Sequence, residues 1–409
     1  MGLRGFSFAA MMCAAAAAQA SDLPRQGRAQ AEPFTLLEPV DYVRVCDQYG
    51  AGFWFIPGTD TCLRVGGRVR GEVLHNNLGA RPDGWLLAPD PTFDSRFREG
   101  LLFRSRASVR LDARTQSEFG LLRGYIDMEA RLISKRDGVH GADDNPLRLN
   151  KAYVQVGGFT FGRARSQFDY FTGATMGAVK RNWSDRDTFS AAYTAQSGQG
   201  TAFTLALEDR TARDSGVYVG KSGLNGVAAN RYPDLVAALR TDQYWGSFQV
   251  AGALSEVRSR DADVDSTVGY AAMAGLMLAV PQLGASDALA LQVQWAQGAM
   301  DYMGIDNVYN AALSAGKTKL TQGVSVSGGF THYFNAQWRS DLDGSYAVVH
   351  VPQGAPQDSY SRVAVDFDVV YEPVRGFELG VDVGAARAFI ENEKDFNEVS
   401  ALMRVQRVF

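Results

Sequence analysis

The sequence predicts an all-β fold, a transmembrane antiparallel β-barrel, on three observations. Arginine alternates with apolar residues along successive segments. The connections between segments are short and long by turns. An export signal stands ahead of them.

The alternation is clearest in three segments. In residues 63–73, Leu63, Val65, Gly67, Val69, Gly71 and Val73 share one face, and Arg64, Gly66, Arg68, Arg70 and Glu72 the other. In 103–114, Phe103, Ser105, Ala107, Val109, Leu111 and Ala113 oppose Arg104, Arg106, Ser108, Arg110, Asp112 and Arg114. In 122–132, Leu122, Gly124, Ile126, Met128, Ala130 and Leu132 oppose Arg123, Tyr125, Asp127, Glu129 and Arg131. Side chains alternate across a strand with period two, whereas a helix would scatter these arginines around its cylinder. Further apolar dyads recur near 152–156, 203–207, 248–254, 289–295, 324–330, 363–371 and 377–383. With its flanks each is about ten residues long, the length a tilted strand needs to cross a bilayer.

Connections 112–116 and 372–376 are short, while 75–97, 135–147 and 210–233 are long and polar. Outer-membrane barrels have short turns at one end and long loops at the other. A soluble β-sandwich with its arginine face in water shares the alternation; the loop asymmetry and the export signal favour the barrel.

Residues 1–20 read as a secretory signal peptide. Arg4 precedes an apolar stretch from Phe6 to Ala18, and Ala18-Gln19-Ala20 ends it. A second triplet, Ala29-Gln30-Ala31, leaves the cut site undecided. Residues 21–45, with Pro24, Pro33 and Pro39, form a lead-in, and 46–409 the barrel. Cys46 and Cys62 remain after cleavage. An even count in an exported protein argues for one disulfide, with two free thiols as the alternative.

No apolar run beyond the N-terminus is long enough for a spanning helix, and a net charge of −4 without a basic tail gives nucleic acid no footprint. The histidines His75, His140, His332 and His350 form no nucleophile-base-orienter pattern, so no catalytic residue is expected. The cysteine pair lacks further ligands, so neither a metal nor a cofactor is expected.

One block is specific. Cys46, Asp47, Tyr49, Gly50 and Gly52, followed by Ile56, Pro57, Gly58, Thr59, Thr61, Cys62, Leu63 and Arg64, resembles the N-terminal block of the alphaproteobacterial (rhizobial and Brucella-type) outer-membrane porins. Tyr153 to Gly158 followed by Gln167-Phe168-Asp169-Tyr170-Phe171-Thr172-Gly173 looks like that family's entry into its pore-constricting loop. Arg404-Val405-Gln406-Arg407-Val408-Phe409 resembles its ending, although Arg407 stands on the face of Phe409, where an apolar residue is usual. The resemblance implies sixteen strands, a homotrimer in the lipid bilayer of the bacterial outer membrane, and passive diffusion of ions and small hydrophilic solutes. A substrate-specific channel of the same architecture is the alternative. It also implies that the third extracellular loop folds inward, by position over 161–189.

On that reading Arg64, Arg68, Arg70, Arg104, Arg106, Arg110, Arg114 and Arg123, with Asp127 and Glu129, line the pore. Neighbouring strands are about 4.8 Å apart, so the guanidinium groups repel unless carboxylates intervene. Asp112, Asp127 and Glu129 are candidates, as are Asp169, Asp185 and Asp187 on the constriction loop. That loop also carries Arg163, Arg165, Lys180, Arg181 and Arg186, so its charge is mixed; the cluster of bases tilts the expected preference slightly toward anions. Residues 261–322 resist division into strands.

Overall fold

The computed structural model describes residues 44–77, 100–134, 147–305, 308–393 and 395–409. The signal peptide, the lead-in up to residue 43 and the centres of the first two long connections, with His140, lie outside the described residues.

Among the described residues sixteen antiparallel strands close a barrel. They are β1 (Cys62–Asn77), β2 (Leu101–Ser117), β3 (Gly120–Ile133), β4 (Leu147–Val156), β5 (Phe159–Arg165), β6 (Asp187–Gln196), β7 (Thr201–Glu208) and β8 (Asp234–Gln243). There follow β9 (Gly246–Val257), β10 (Thr267–Ala279), β11 (Ala288–Gln297), β12 (Gln322–Tyr333), β13 (Trp338–His350), β14 (Tyr360–Val374), β15 (Phe377–Ile390) and β16 (Phe396–Val408). Each strand pairs with the next, and β16 pairs with β1, as in Glu72 opposite Arg404. The apolar dyads form the outer face: Val69, Phe103, Leu132 and Phe203 are about half exposed, while Arg70, Glu72, Ser108 and Asp112 between them are buried. The polar face therefore points inward.

The strands are longer than the alternation alone indicates. β1 takes in His75, which the sequence reading placed in a loop. β2 runs to Ser117, so 112–116 is strand, and only Glu118 and Phe119 turn the chain. β14 runs to Val374, and Arg375-Gly376 makes the turn, Gly376 at φ +76°. Arg407 projects outward at this rim and donates to the Arg375 carbonyl at 2.8 Å, which satisfies a charge on the lipid-side face.

Long connections gather at one end and short turns at the other; in outer-membrane barrels the short-turn end is periplasmic. At the long-loop end Val217–Tyr218 pairs with Ala311 and Ala312, and Ala311–Ser314 pairs with Lys317–Leu320, so the β7–β8 and β11–β12 connections clasp each other. At the short-turn end residues 44–61 fold back as a hairpin. Trp54 and Phe55 pair with Leu63 and Cys62, and the Cys46–Cys62 disulfide, with Cα atoms 6.0 Å apart, closes it around the buried Phe53.

Candidate pore and its constriction

The third long connection is residues 166–186. The sequence reading set it at 161–189, but the β5–β6 ladder continues through Arg163 opposite Phe189 and Arg165 opposite Asp187, and strand takes both ends. The loop has no regular hydrogen bonding of its own, so its backbone N–H groups need other acceptors. The inner wall supplies them in strand order. On β7, Glu208 accepts from Ser166 Oγ and Gln167 N, both at 2.7 Å. On β11, Gln292 accepts from Phe171 N at 3.1 Å. On β13, Asp343 accepts from the backbone N–H groups of Ala174 and Thr175 and from the Thr175 hydroxyl, each at 2.8 Å. Asp368 on β14 accepts from Met176 N, and Asp382 on β15 from Gly177 N, both at 2.8 Å. The loop is thus laid along half the inner circumference.

Glycines in the wall let it lie close. A Cβ on Gly275 would run into the Tyr170 ring, one on Gly329 would stand 2.5 Å from Phe171, and one on Gly380 would overlap Met176. Behind the loop, a 3-10 turn at Met300–Met303 completes the filling: Tyr302 packs edge-on against Phe168 with centroids 4.8 Å apart, and Arg186 donates to Asp301 at 2.6 Å.

The opposite wall is made by β1–β3 and β16. Glu72 accepts from Arg104 at 2.5 Å and Arg404 at 2.7 Å, and lies 3.5 Å from Arg70 and 3.6 Å from Arg106. Asp112 pairs with Arg114 and Arg123 at 2.8 Å and Arg64 at 3.4 Å. Asp127 pairs with Arg110 at 3.0 Å, and Glu129 with Arg68 at 3.3 Å. Four carboxylates therefore serve nine arginines, nine less four leaving a surplus of five positive charges.

The register separates two levels. Glu72 stands opposite both Arg104 and Arg404, Arg404 opposite Gly380, and Arg404 donates to the Met176 carbonyl at 3.1 Å. Arg70, Arg104, Arg106 and Arg404 are accordingly at the height of the loop. Arg64, Arg114 and Arg123 lie lower, at the short-turn mouth beside the disulfide hairpin.

The loop candidates fall apart chemically. Arg181 is buried and turned to the wall, bonded to Asp366 and 3.4 Å from Asp343. Asp169 is buried among the Arg186 backbone N–H, Ser184 and Arg213, so it fastens the loop to itself and to the β7–β8 connection. Asp187 is the first residue of β6 and pairs with Lys151 at 3.5 Å. Lys180 and Asp185 are exposed. Compensation of the arginine wall thus comes from the wall itself, through Asp112, Asp127, Glu129 and Glu72. Glu72 and Arg404 were missing from the sequence-derived set, although Glu72 shares the arginine face. The acids Asp366, Asp368 and Asp382 were missing too, although Asp366 and Asp368 alternate with apolar residues on β14.

A closed barrel in which the third long loop lies inside, across from a charged wall, is the architecture of a bacterial outer-membrane porin, a diffusion channel. The family model described as "Porin subfamily" matches residues 30–394, and the chain belongs to that family. It is 31% identical over 261 residues to "Porin Omp2b" of Brucella suis, an alignment that covers 60% of this chain and spans only 64% of that relative. It is 27% identical over 414 residues to "Porin Omp2b" of Brucella neotomae, covering 98% of this chain and 97% of the relative. Among solved structures it is similar in fold to the outer membrane channel DcaP of Acinetobacter baumannii, with a TM-score of 0.69 at 16% identity over 87% of this chain and 99% of that one. Salmonella typhi OmpF is similar at 0.51 and 14% identity, over 86% and 98%.

Proposed function

We propose that this porin is a general-diffusion channel for small hydrophilic solutes that favours anions, and that it works as a homotrimer. The observation that carries the anion preference is the surplus of guanidinium over carboxylate on the wall facing the loop. A lumen of one sign, bounded by low-dielectric walls, concentrates ions of the opposite sign. Of the acids on β13–β15, Asp366 is paired with Arg181 and Asp341 with Arg339, and Asp343, Asp368 and Asp382 lie behind the loop, which stands between them and the arginine wall. On this reading Arg70, Arg104, Arg106 and Arg404 form the narrow point, and Arg64, Arg68, Arg110, Arg114 and Arg123 the approach to it. The homotrimer is inferred from the family resemblance.

Reversal potentials in a tenfold KCl gradient test the sign. Chloride should permeate better than potassium, and a cation-selective potential overturns the reading. Liposome swelling with solutes graded in size tests generality. Rates should fall smoothly with size; a saturable preference for one solute favours a substrate-specific channel. Migration of the unheated protein in SDS tests the oligomer, a monomer band counting against it.

A further inference from the structure

We propose a second solute site at the short-turn mouth, a shelf of two stacked tyrosines beside surplus guanidinium that binds planar aromatic carboxylates. It rests on the anion-favouring reading only in that such solutes must be able to enter.

Tyr125 on β3 and Tyr153 on β4 stand opposite each other in register. Their rings are stacked, with centroids 5.1 Å apart and planes inclined by 22°. Tyr125 has the parity of Arg123 and Asp127, so both rings belong to the inner face. Among the described residues neither hydroxyl has a hydrogen-bond partner, and neither is sealed from solvent. Two phenol donors are thus presented to the lumen.

The charge beside them is unbalanced. The Arg123 guanidinium lies 5.0 Å from the Tyr125 centroid and 5.6 Å from that of Tyr153. Asp112 is shared by Arg114, Arg123 and Arg64, so two positive charges of the three are not neutralised there. Arg64 is the least engaged, with the longest contact and a side chain 46% exposed against 21% and 20% for the others. Its position is nonetheless fixed, because the Phe53 ring lies 4.8 Å from the Arg64 guanidinium and 4.9 Å from that of Arg114. Phe53 is in turn held by the disulfide hairpin.

Cations that lack a full complement of carboxylates call for an anion. Stacked rings with open hydroxyls call for a flat partner with an acceptor, and aromatic rings favour offset stacking. An aromatic carboxylate meets both demands, its carboxylate at Arg64 and its ring on the tyrosines. The site is not the constriction: Arg64 and Glu72 are separated by eight residues of β1, roughly 26 Å of strand at about 3.3 Å per residue.

The experiment is single-channel recording of the full-length oligomer with 2-naphthoate or cyclohexanecarboxylate added on the short-turn side. Naphthoate should interrupt the current with a residence time longer by roughly 2- to 12-fold, the range one aromatic stack supplies. Tyr125→Leu with Tyr153→Leu should reduce it to that of the alicyclic acid. If the double variant forms no channels, Tyr153→Leu and Tyr153→Trp decide, the first shortening and the second lengthening the residence. Equal residence times for the two acids, or no response to these substitutions, overturns the site. Failure of the anion reading shows separately, as a cation-selective potential in KCl alone.

Discussion

Glu72→Gln isolates the charge at the centre of the arginine wall. The glutamate carboxylate is buried and lies within 3.6 Å of four guanidinium groups, those of Arg70, Arg104, Arg106 and Arg404. Glutamine keeps the shape and removes one negative charge. An ion passing about 7 Å away in water feels a unit charge by about 0.6 kcal/mol. A Debye length of about 10 Å at 0.1 M salt halves this to roughly 0.3 kcal/mol. The change favours the anion and opposes the cation equally, so the chloride-to-potassium permeability ratio should rise roughly threefold. At 1 M the Debye length is about 3 Å, and the effect should nearly vanish. Reversal potentials at both salt concentrations measure it. Stability should fall by about 3–5 kcal/mol, the usual cost of leaving buried charges without their partner, read as a lower melting temperature of the SDS-resistant form. An unchanged ratio at 0.1 M in a folded channel would show that Glu72 is not at the height of the narrow point.

Three other perturbations address the fastening of the loop and of the hairpin. Gly380→Val drives a side chain into Met176 and should push the loop tip into the lumen, lowering unitary conductance; a wild-type conductance refutes the glycine recess. Asp343→Asn weakens three charge-assisted bonds to Ala174 and Thr175, each worth about 1.5–3 kcal/mol; open-channel noise should rise while circular dichroism keeps its β signal. Cys46→Ser opens a loop of sequence separation 16, worth on the order of 3 kcal/mol in chain entropy. Residues 47–61 should become cleavable by protease while the barrel stays heat-modifiable, and an equally resistant hairpin would show that Phe53 alone holds it.

The sequence was most legible where the wall is wet. On β1–β3 lipid lies on one side and water on the other, so Val69 against Arg70, or Val109 against Arg110, records the geometry directly. Residues 261–322, apart from the dyad near 289–295, resisted division, and on β10 the reason is the opposite one. The inner face of β10 carries Ala271, Met273 and Gly275, because Tyr170 and its neighbours cover that stretch of wall. With apolar residues on both sides the period of two disappears. Inward placement of Asp368 and Asp382 can be read from alternation, but their acceptor role cannot. Their partners Met176 and Gly177 are 192 and 205 residues away in sequence. A similar distance hid the fate of Arg181, whose partners Asp366 and Asp343 are 185 and 162 residues away, while Asp169, which also looks like a pore charge in a linear reading, is taken up by Ser184, Arg186 and Arg213 through contacts the chain forms only when folded.

The pairing of β1 with β16 also constrains how the molecule is made. Arg70 donates to Gln406 at 2.8 Å across 336 residues of sequence, so the first edge waits for the last strand. The entropy of bringing such distant segments together grows only logarithmically with length, to about 5 kcal/mol here. A curved sheet of β1–β15 would meanwhile hold two rows of unpaired N–H and C=O groups, each costing several kcal/mol in hydrocarbon. Half-built intermediates are therefore excluded from the bilayer interior, and closure and insertion become one kinetic event.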